Sequence, residues 1–412
     1  MEFKRHIKLF TLIILTAVIM GCASAIFLQS LEYVTNFRMS HYQLFYLIPL
    51  IGVATAFIYN NYGKGSQRGN NLIIESTHKE TKVPLRMAFL TFIFTVLTHL
   101  VGGSAGREGT AVQIGGTVTN KLANIFKLEG KDKKTLIMVG ISSAFGSVFG
   151  TPLAGTFFGV EVCFIGKLSY ESIFPCFIGA YVADYVTSFF GIKHSIHSII
   201  SVPNITIYTL IITIISACIF GIVGKLFSRS IKFLKKMYSS KIKNYLLRAL
   251  ISSFIVLIII VIFNFYEYGG LSTWLIDAGF NGTSSIGDSV KKFILTVLTL
   301  ASGFQGGEVT PLFDIGASLG GAIGQIAHIE PSLLAALGLI CVFGSATNTP
   351  IATIMLGIEM FGDRAIPYYI ISVLISYYIG EHNSIYGAQV IETPKKSKYL
   401  KDKGYSIEEI LK

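Results

Sequence analysis

Two acidic, glycine-rich breaks are the places where this sequence could do chemistry. Gly102-Gly103-Ser104-Ala105-Gly106-Arg107-Glu108-Gly109-Thr110 interrupts one apolar stretch, and Gly303-Phe304-Gln305-Gly306-Gly307-Glu308-Val309-Thr310-Pro311 interrupts another. Glycine lets the backbone turn sharply and approach a ligand closely. Pro311 suits the first turn of a helix, where an N–H lacks a partner in any case. Free N–H groups at a helix start, aligned with the helix dipole, attract an anion. Two such starts aimed at one point hold a halide without a full positive charge. A carboxylate inside a membrane is costly and marks function by default, which singles out Glu108 and Glu308 as gating and proton-coupling groups. Ionised, Glu108 occupies the anion's place; protonated, it swings away, and protons and anions exchange. The plainer alternatives are helix packing through small residues for the glycines, an ion pair with Arg107 for Glu108, and a helix N-cap for Glu308.

The surroundings of these breaks are membrane-like. Of 412 residues, 52% are hydrophobic and only 14% charged, whereas a soluble domain carries about 25% charged residues. Apolar stretches recur at Leu9–Leu28, Leu44–Tyr59, Met87–Val101, Ile173–Phe190, Ile205–Val223, Leu250–Phe265 and Tyr368–Tyr378. Against the roughly 20 residues a span needs, they read as about ten to fourteen membrane helices, some too short to cross. The net charge of +11 is concentrated: Lys4, Arg5 and Lys8 lead the chain, eight Lys/Arg without an acid lie between Lys225 and Arg248, and five lysines fall between Lys395 and Lys403. Short basic loops stay on the cytoplasmic side, so both termini and the central loop are expected there. No basic domain interleaved with aromatics supports nucleic-acid binding. The five cysteines and eight histidines show no metal-ligand spacing, and no metal or cofactor is expected. The start resembles a signal peptide up to Cys22, but its apolar run continues to Leu28, which favours a retained helix.

The chain also repeats itself. Phe92-Ile93-Phe94-Thr95-Val96-Leu97-Thr98 returns as Phe293-Ile294-Leu295-Thr296-Val297-Leu298-Thr299, an offset of 201, and the two glycine-rich breaks lie over each other at the same offset. Thr151-Pro152-Leu153-Ala154 with Glu161 returns as Thr349-Pro350-Ile351-Ala352 with Glu359, an offset of 198. The expected organisation is a first membrane repeat over 1–195, a second over 200–390, and a short basic cytoplasmic tail over 394–412. The seam falls near 192–204. Whether the halves run parallel or inverted is open at this level, although inverted repeats place substrate sites where broken helices meet near the midplane. Glu161 and Glu359 read as structural, since duplication alone explains their pairing.

Gly106-Arg107-Glu108-Gly109-Thr110, Gly307-Glu308-Val309-Thr310-Pro311 and a Tyr386 just before the tail resemble the CLC family of chloride channels and anion/proton antiporters, over about residues 5–390. The resemblance implies an all-α integral membrane protein: two inverted-topology repeats of broken helices, forming a protomer that pairs as a homodimer. Departures from the chloride type point to one branch. The first short helix reads Arg68-Gly69-Asn70-Asn71-Leu72 instead of Gly-Ser-Gly-Ile-Pro, Thr110 replaces a proline, Glu308 stands where the chloride type lacks an acid, Val309 replaces an aromatic, and Val162 stands where an internal proton-transfer glutamate is usual. These features resemble the fluoride/proton antiporters that bacteria use to expel fluoride. The branch implies Glu108 as the gate, Glu308 and Thr310 in ion and proton handling, and Tyr386 as the anion-site phenol. It implies an anion site of Asn70, Asn71, Gly109, Val309, Thr310 and Tyr386, with Asn70 favoured over Asn71 as the counterpart of the chloride-type serine. Stripping water from fluoride demands dense donors, which this set offers; Tyr386 read alone is equally an interfacial anchor. With Val162 apolar, Glu308 or an inward-reaching Glu108 is expected to carry the proton on the inner side. The expected setting is the inner cell membrane, with fluoride, protons and lipid as partners.

Two rival functions frame the expectation. One is a chloride/proton antiporter or a passive chloride channel of the same family. The other is an enzyme, because Gly102-Gly103-Ser104-Ala105-Gly106 and Gly316-Ala317-Ser318-Leu319-Gly320 both spell G-x-S-x-G. That pattern arises cheaply in glycine-rich helices, and no oriented triad accompanies it, so no enzymatic activity is expected. The tail is too short for regulatory domains and reads as a surface helix or a frayed end.

Overall fold

The structure, a computed structural model, describes residues 2–410. Eight helices make up the first half: α1 (Glu2–Met39), α2 (Ile48–Tyr62), α3 (Asn70–Glu75), α4 (Arg86–Leu100), α5 (Glu108–Ile125), α6 (Gly130–Phe149), α7 (Pro152–Glu161) and α8 (Ile173–Phe189). Eight more follow in the second: α9 (Ile207–Lys241), α10 (Tyr245–Phe263), α11 (Trp274–Phe280), α12 (Ile286–Ala301), α13 (Val309–Ile326), α14 (Pro331–Thr347), α15 (Pro350–Phe361) and α16 (Ile366–Gly380). A short α17 (Ile407–Ile410) ends the tail. Neighbours repeat in kind: α1 packs on α8 as α9 does on α16, α5 on α6 as α13 on α14, and α2 meets α10 across the halves.

Among the described residues, four segments are long and apolar enough to cross a membrane: Glu2–Met39, Tyr42–Tyr62, Ile207–Lys241 and Tyr245–Phe263. They are the opening pair of each half. Elsewhere the sequence stops one helix and starts the next within a few residues. Gly150 at φ +70° and Asn348 at φ +59° take left-handed C-cap positions after α6 and α14. Pro152 and Pro350 then start α7 and α15 at positions that need no N–H. The resulting half-helices come in matched pairs.

The halves point in opposite directions. Arg5 binds Asp132 at 2.6 Å, Lys134 lies over the Phe164 ring, and Phe164–Ile165 pairs in parallel with Val390–Ile391, just before the tail, so both ends of the chain share one face. On the opposite face, Gly102 at the end of α4 sits against Phe45, just beyond α1. The end of α12 (Leu300–Ser302) instead borders a cavity with Glu408 of the tail, on the terminal face. Thus α4 runs away from the termini and α12 toward them. The tail, read from the sequence as a surface helix or a frayed end, is tied down: Ile407 joins Ile391 and Ile165 in a small core, and Lys79 binds Glu409 at 2.8 Å.

The centre is built from α6 and α14, the latter buried from Ser332 to Thr347. Side chains added at Gly316 or Gly338 would run into each other's backbone carbonyl, so these glycines set the closeness of α13 and α14, as small residues do where lipid gives helices no hydrophobic drive to associate.

Candidate functional site

The two glycine-rich breaks meet. Gly102 (φ +81°) and Gly303 (φ +92°) turn the chain out of α4 and α12 through conformations that favour glycine. The two strands then exchange a pair of backbone bonds, Gly106 N to Gly307 O and Gly307 N to Gly106 O, both 2.6 Å, in an antiparallel bridge. This bridge sets the beginnings of α5 and α13 against each other at the middle of the protein.

Glu108, fully buried, reaches across that seam. Its Oε1 accepts from the Thr310 hydroxyl at 2.5 Å, and its Oε2 accepts from the Thr310 N–H at 3.1 Å. The Arg107 N–H donates to Oε2 at 3.1 Å and Arg107 Nε to Oε1 at 3.3 Å. The ion pair with Arg107 is therefore present, but two further bonds come from the start of the other half's helix. The first-half carboxylate occupies a cradle of amide and hydroxyl donors at a helix N-terminus, the environment that binds a free anion.

Glu308 is the N-cap residue of α13, yet its side chain makes no capping bond. Its buried Oε2 has no protein partner. A Cβ on Gly109 would stand 2.9 Å from Asn70 Nδ2 and 3.1 Å from Glu308 Oε2, so the bare Gly109 backbone, the Asn70 amide and the Glu308 carboxyl converge. Val309 is 1% exposed beside them. The two asparagines differ: Asn70 faces this convergence, whereas Asn71 Oδ1 accepts from Ala388 N at 3.0 Å and fastens the loop that carries Tyr386. The Tyr386 ring is packed edge-on at 6.3 Å from Phe158, and its hydroxyl is buried without a protein partner. Asn70, Asn71, Glu308 and Tyr386 border a cavity of about 810 Å³ that also reaches Lys235 and Glu408 on the terminal face. Thr110, by contrast, turns away and pairs with Thr95 at 2.8 Å.

Glu161 and Glu359 cap each other's partner helices. Glu161 accepts from Ile351 N and Ala352 N at 3.1 and 2.8 Å, and Glu359 from Leu153 N and Ala154 N at 2.9 and 2.8 Å. Val162, 1% exposed, presents an apolar side chain next to Glu161. Neither G-x-S-x-G serine faces a histidine base: Ser104 Oγ pairs with Thr296 Oγ1, and Ser318 Oγ donates to the Asp314 carbonyl. Among the described residues no group of three His, Cys, Asp or Glu could hold a metal.

Sequence reasoning missed three features. Gln113, 5% exposed, also lines the cavity, with Oε1 unpartnered. Lys235 points into the same vestibule. Lys292 and Asp314, both fully buried, form an ion pair at 3.4 Å. A signal for the last was present: at the repeat offset of 201, Lys292 overlies Thr91 and Asp314 overlies Gln113, so charge appears in only one half.

Comparison with known proteins gives a consistent answer. The family described as voltage gated chloride channel matches residues 51–381. A chloride/fluoride channel protein of Pseudomonas syringae pv. tomato is 38% identical over 393 residues, covering 94% of this chain and 87% of the relative. An H+/Cl− exchange transporter of Citrobacter koseri is 26% identical over 385 residues, covering 84% and 80%. Among solved structures, a CLC-type fluoride/proton antiporter matches with a TM-score of 0.90 at 37% identity, over 93% of this chain and 98% of that one. A slow cyanobacterial Cl−/H+ antiporter shares the fold, with a TM-score of 0.77 at 18% identity over 90% and 94%. With most of its length matched by the family and its helices paired in two inverted sets, this chain is a multi-pass membrane protein of the voltage-gated chloride channel, or CLC, family.

Proposed function

We propose that this protein is a secondary active antiporter that exports fluoride in exchange for protons. It works in the cell membrane with both termini cytoplasmic, and pairs as a homodimer in which each protomer has its own pathway. The observation that carries this reading is the Glu108 carboxylate seated in the donor cradle of Thr310, with Glu308 unpartnered on the other side of Gly109. A carboxylate held where an anion fits competes with that anion. Protonation removes its charge and weakens its hold on the donors, since charge-assisted bonds are roughly twice as strong as neutral ones. Fluoride then takes the cradle while Glu108 carries the proton. On the cytoplasmic side Glu308, free of a capping bond, takes or returns the proton that no acid at Val162 can handle.

Fluoride rather than chloride is favoured by the donors. The Thr310 hydroxyl furnishes the seat that Glu108 now fills, and the Asn70 amide and the Tyr386 phenol, hard hydrogen-bond donors as well, border the adjoining cavity, with Asn71 holding the Tyr386 loop and Asn70 meeting the bare Gly109 backbone. A small, strongly hydrated anion needs such replacement for its water. The relatives named for fluoride are also those with the higher identities, 38% and 37%.

The test is flux in proteoliposomes, with fluoride, chloride and pH recorded together. The wild type is expected to take up protons as fluoride leaves down an outward gradient, and to discriminate against chloride. Glu108→Gln should lower fluoride-coupled proton movement by about 100-fold or more, the scale expected when a positioned proton carrier is removed. Continued proton exchange in that variant would overturn the gate, and equal chloride exchange in the wild type would favour the chloride/proton reading.

A further inference from the structure

The Lys292–Asp314 pair has no part in the exchange as described so far, and its cost calls for a reason. Both side chains are fully buried. Removing two charges from water commonly costs more than their attraction returns, so a buried pair is weak as a stabilising device, and ionisable groups inside a membrane are functional candidates by default. Lys292 is well satisfied: its Nζ lies 3.4 Å from Asp314 Oδ2 and donates to the carbonyls of Gly270 at 2.9 Å and Leu271 at 3.2 Å. Asp314 is not. Neither of its oxygens has a hydrogen-bond donor.

The position is informative. Asp314 follows Thr310 by four residues on α13, hence on the same helix face and about 6 Å further along the axis. α13 runs from the middle of the protein toward the face opposite the termini, where its end meets the start of α9 through the Tyr208 hydroxyl and Ala327 O. Asp314 is therefore one turn beyond the cradle that holds Glu108, on the side away from the termini. Lys292 anchors to the Gly270–Leu271 loop, which lies against Gly103 and the Arg38 guanidinium at that same face. The charges acting on Asp314 are Lys292 from α12, Glu108 at the start of α5 and Arg107 just before it; Arg38 acts on Lys292. Of the other helices packed on α13, α14 carries no charged residue, α11 carries only the exposed Asp277, which pairs with His197, and Lys235 of α9 acts on Glu308.

We propose that Asp314, backed by Lys292, is the station that passes protons between Glu108 and the extracellular face. The proposal rests on the fluoride/proton reading above. In the inward transfer, the O–H bond of protonated Asp314 breaks and an O–H bond forms on Glu108. The negative charge passes from Glu108 to Asp314, where the Lys292 ammonium stabilises it, and a proton from external water restores the acid. This gives the outer side of the pathway an acid of its own, as Glu308 serves the inner side. The repeat-equivalent positions, Thr91 and Gln113, are uncharged, and Gln113 lines the cavity that already has Glu308.

Three variants test it in proteoliposomes by simultaneous fluoride and proton flux. Asp314→Asn keeps shape and cannot carry a proton; Lys292→Met with Asp314→Asn does the same while keeping the site neutral; Asp314→Glu keeps the acid. The first two should lower coupled exchange by about 100-fold at neutral external pH. Their rate should recover as external pH falls, by about tenfold per unit, because bulk protons must then reach Glu108 directly. Asp314→Glu should retain most of the rate. Where Asp314→Asn does not fold, the neutral double variant is read in its place. A double variant that folds and matches the wild type in rate and pH profile overturns the station, as does a loss in the single variant that the double variant repairs, since that is the signature of charge pairing alone. A wild type without coupled exchange would instead sink the antiport reading.

Discussion

Glu108 and Thr310 belong to different halves, and their contact couples the gate to the anion's own cradle. Thr310→Val removes the hydroxyl bond at 2.5 Å and leaves the N–H bond at 3.1 Å. A hydrogen bond to a charged group is worth about 1.5–3 kcal/mol, so the seated gate should weaken by roughly ten- to 100-fold. Fluoride would then pass without waiting for a proton. The expected result is more fluoride moved per proton, measured with paired fluoride and pH electrodes; an unchanged ratio would assign the hold to the N–H and Arg107 instead. At this scale the sequence was partly legible. Acids at glycine breaks are rare enough in apolar sequence to be noticed, which is why Glu108 and Glu308 stood out. The difference between Asn70 and Asn71 was not readable, because it depends on Gly69 at φ +55° turning α3 so that one amide faces Gly109 and the other Ala388. Gln113 and Asp314 were missed, although the repeat offset of 201 lays one over the other.

Among the helices, the crossed caps tie the repeats to each other. Glu161 takes the first N–H groups of α15, and Glu359 those of α7. In lipid these N–H groups have no water to fall back on, so removing a cap leaves them unpaired. Glu161→Ala should cost about 2–4 kcal/mol, taking about 1–2 per lost bond within the usual range for an unsatisfied buried donor. It should show as a lower melting temperature in detergent, followed through the emission of the single Trp274. Unchanged melting would mean that α7 and α15 hold together through packing alone. The repeat itself was plain in the sequence, as identical residue types at offsets of 201 and 198. Their opposite direction was not, since identity at a fixed offset carries no orientation; that came from Gly102 against Phe45 at one face and Leu300–Ser302 near Glu408 at the other. Hydropathy marks apolar stretches without registering where one helix stops and the next begins, which Gly150 and Asn348 decide by turning left-handed at the ends of α6 and α14.

The whole molecule is electrically lopsided, with its net charge of +11 gathered on the terminal face. Part of that charge is spent on holding the tail: Lys225, Lys396 and Lys398 surround Glu381 and keep its carboxyl well below the usual carboxylate range, and Lys79 holds Glu409 down at about 2. Lys232, Lys235 and Lys236, by contrast, border the cavity that leads to Glu308 and Tyr386. A cleft lined by one sign of charge and walled by low dielectric concentrates counter-ions, so in the proposed orientation these three lysines gather fluoride at the cytoplasmic mouth. Basic loops were readable as topology; their second use was not, because it depends on the inner end of α9 turning its lysines toward the vestibule. Replacing all three by glutamine should slow fluoride export several-fold at low ionic strength. The deficit should vanish near 1 M salt, where the screening length of about 3 Å is shorter than any path into the cleft. Initial rates of wild type and triple variant across that range decide the matter: parallel salt dependences would leave the lysines with topology as their sole task, whereas convergence at high salt identifies the terminal face as the funnel that feeds the site.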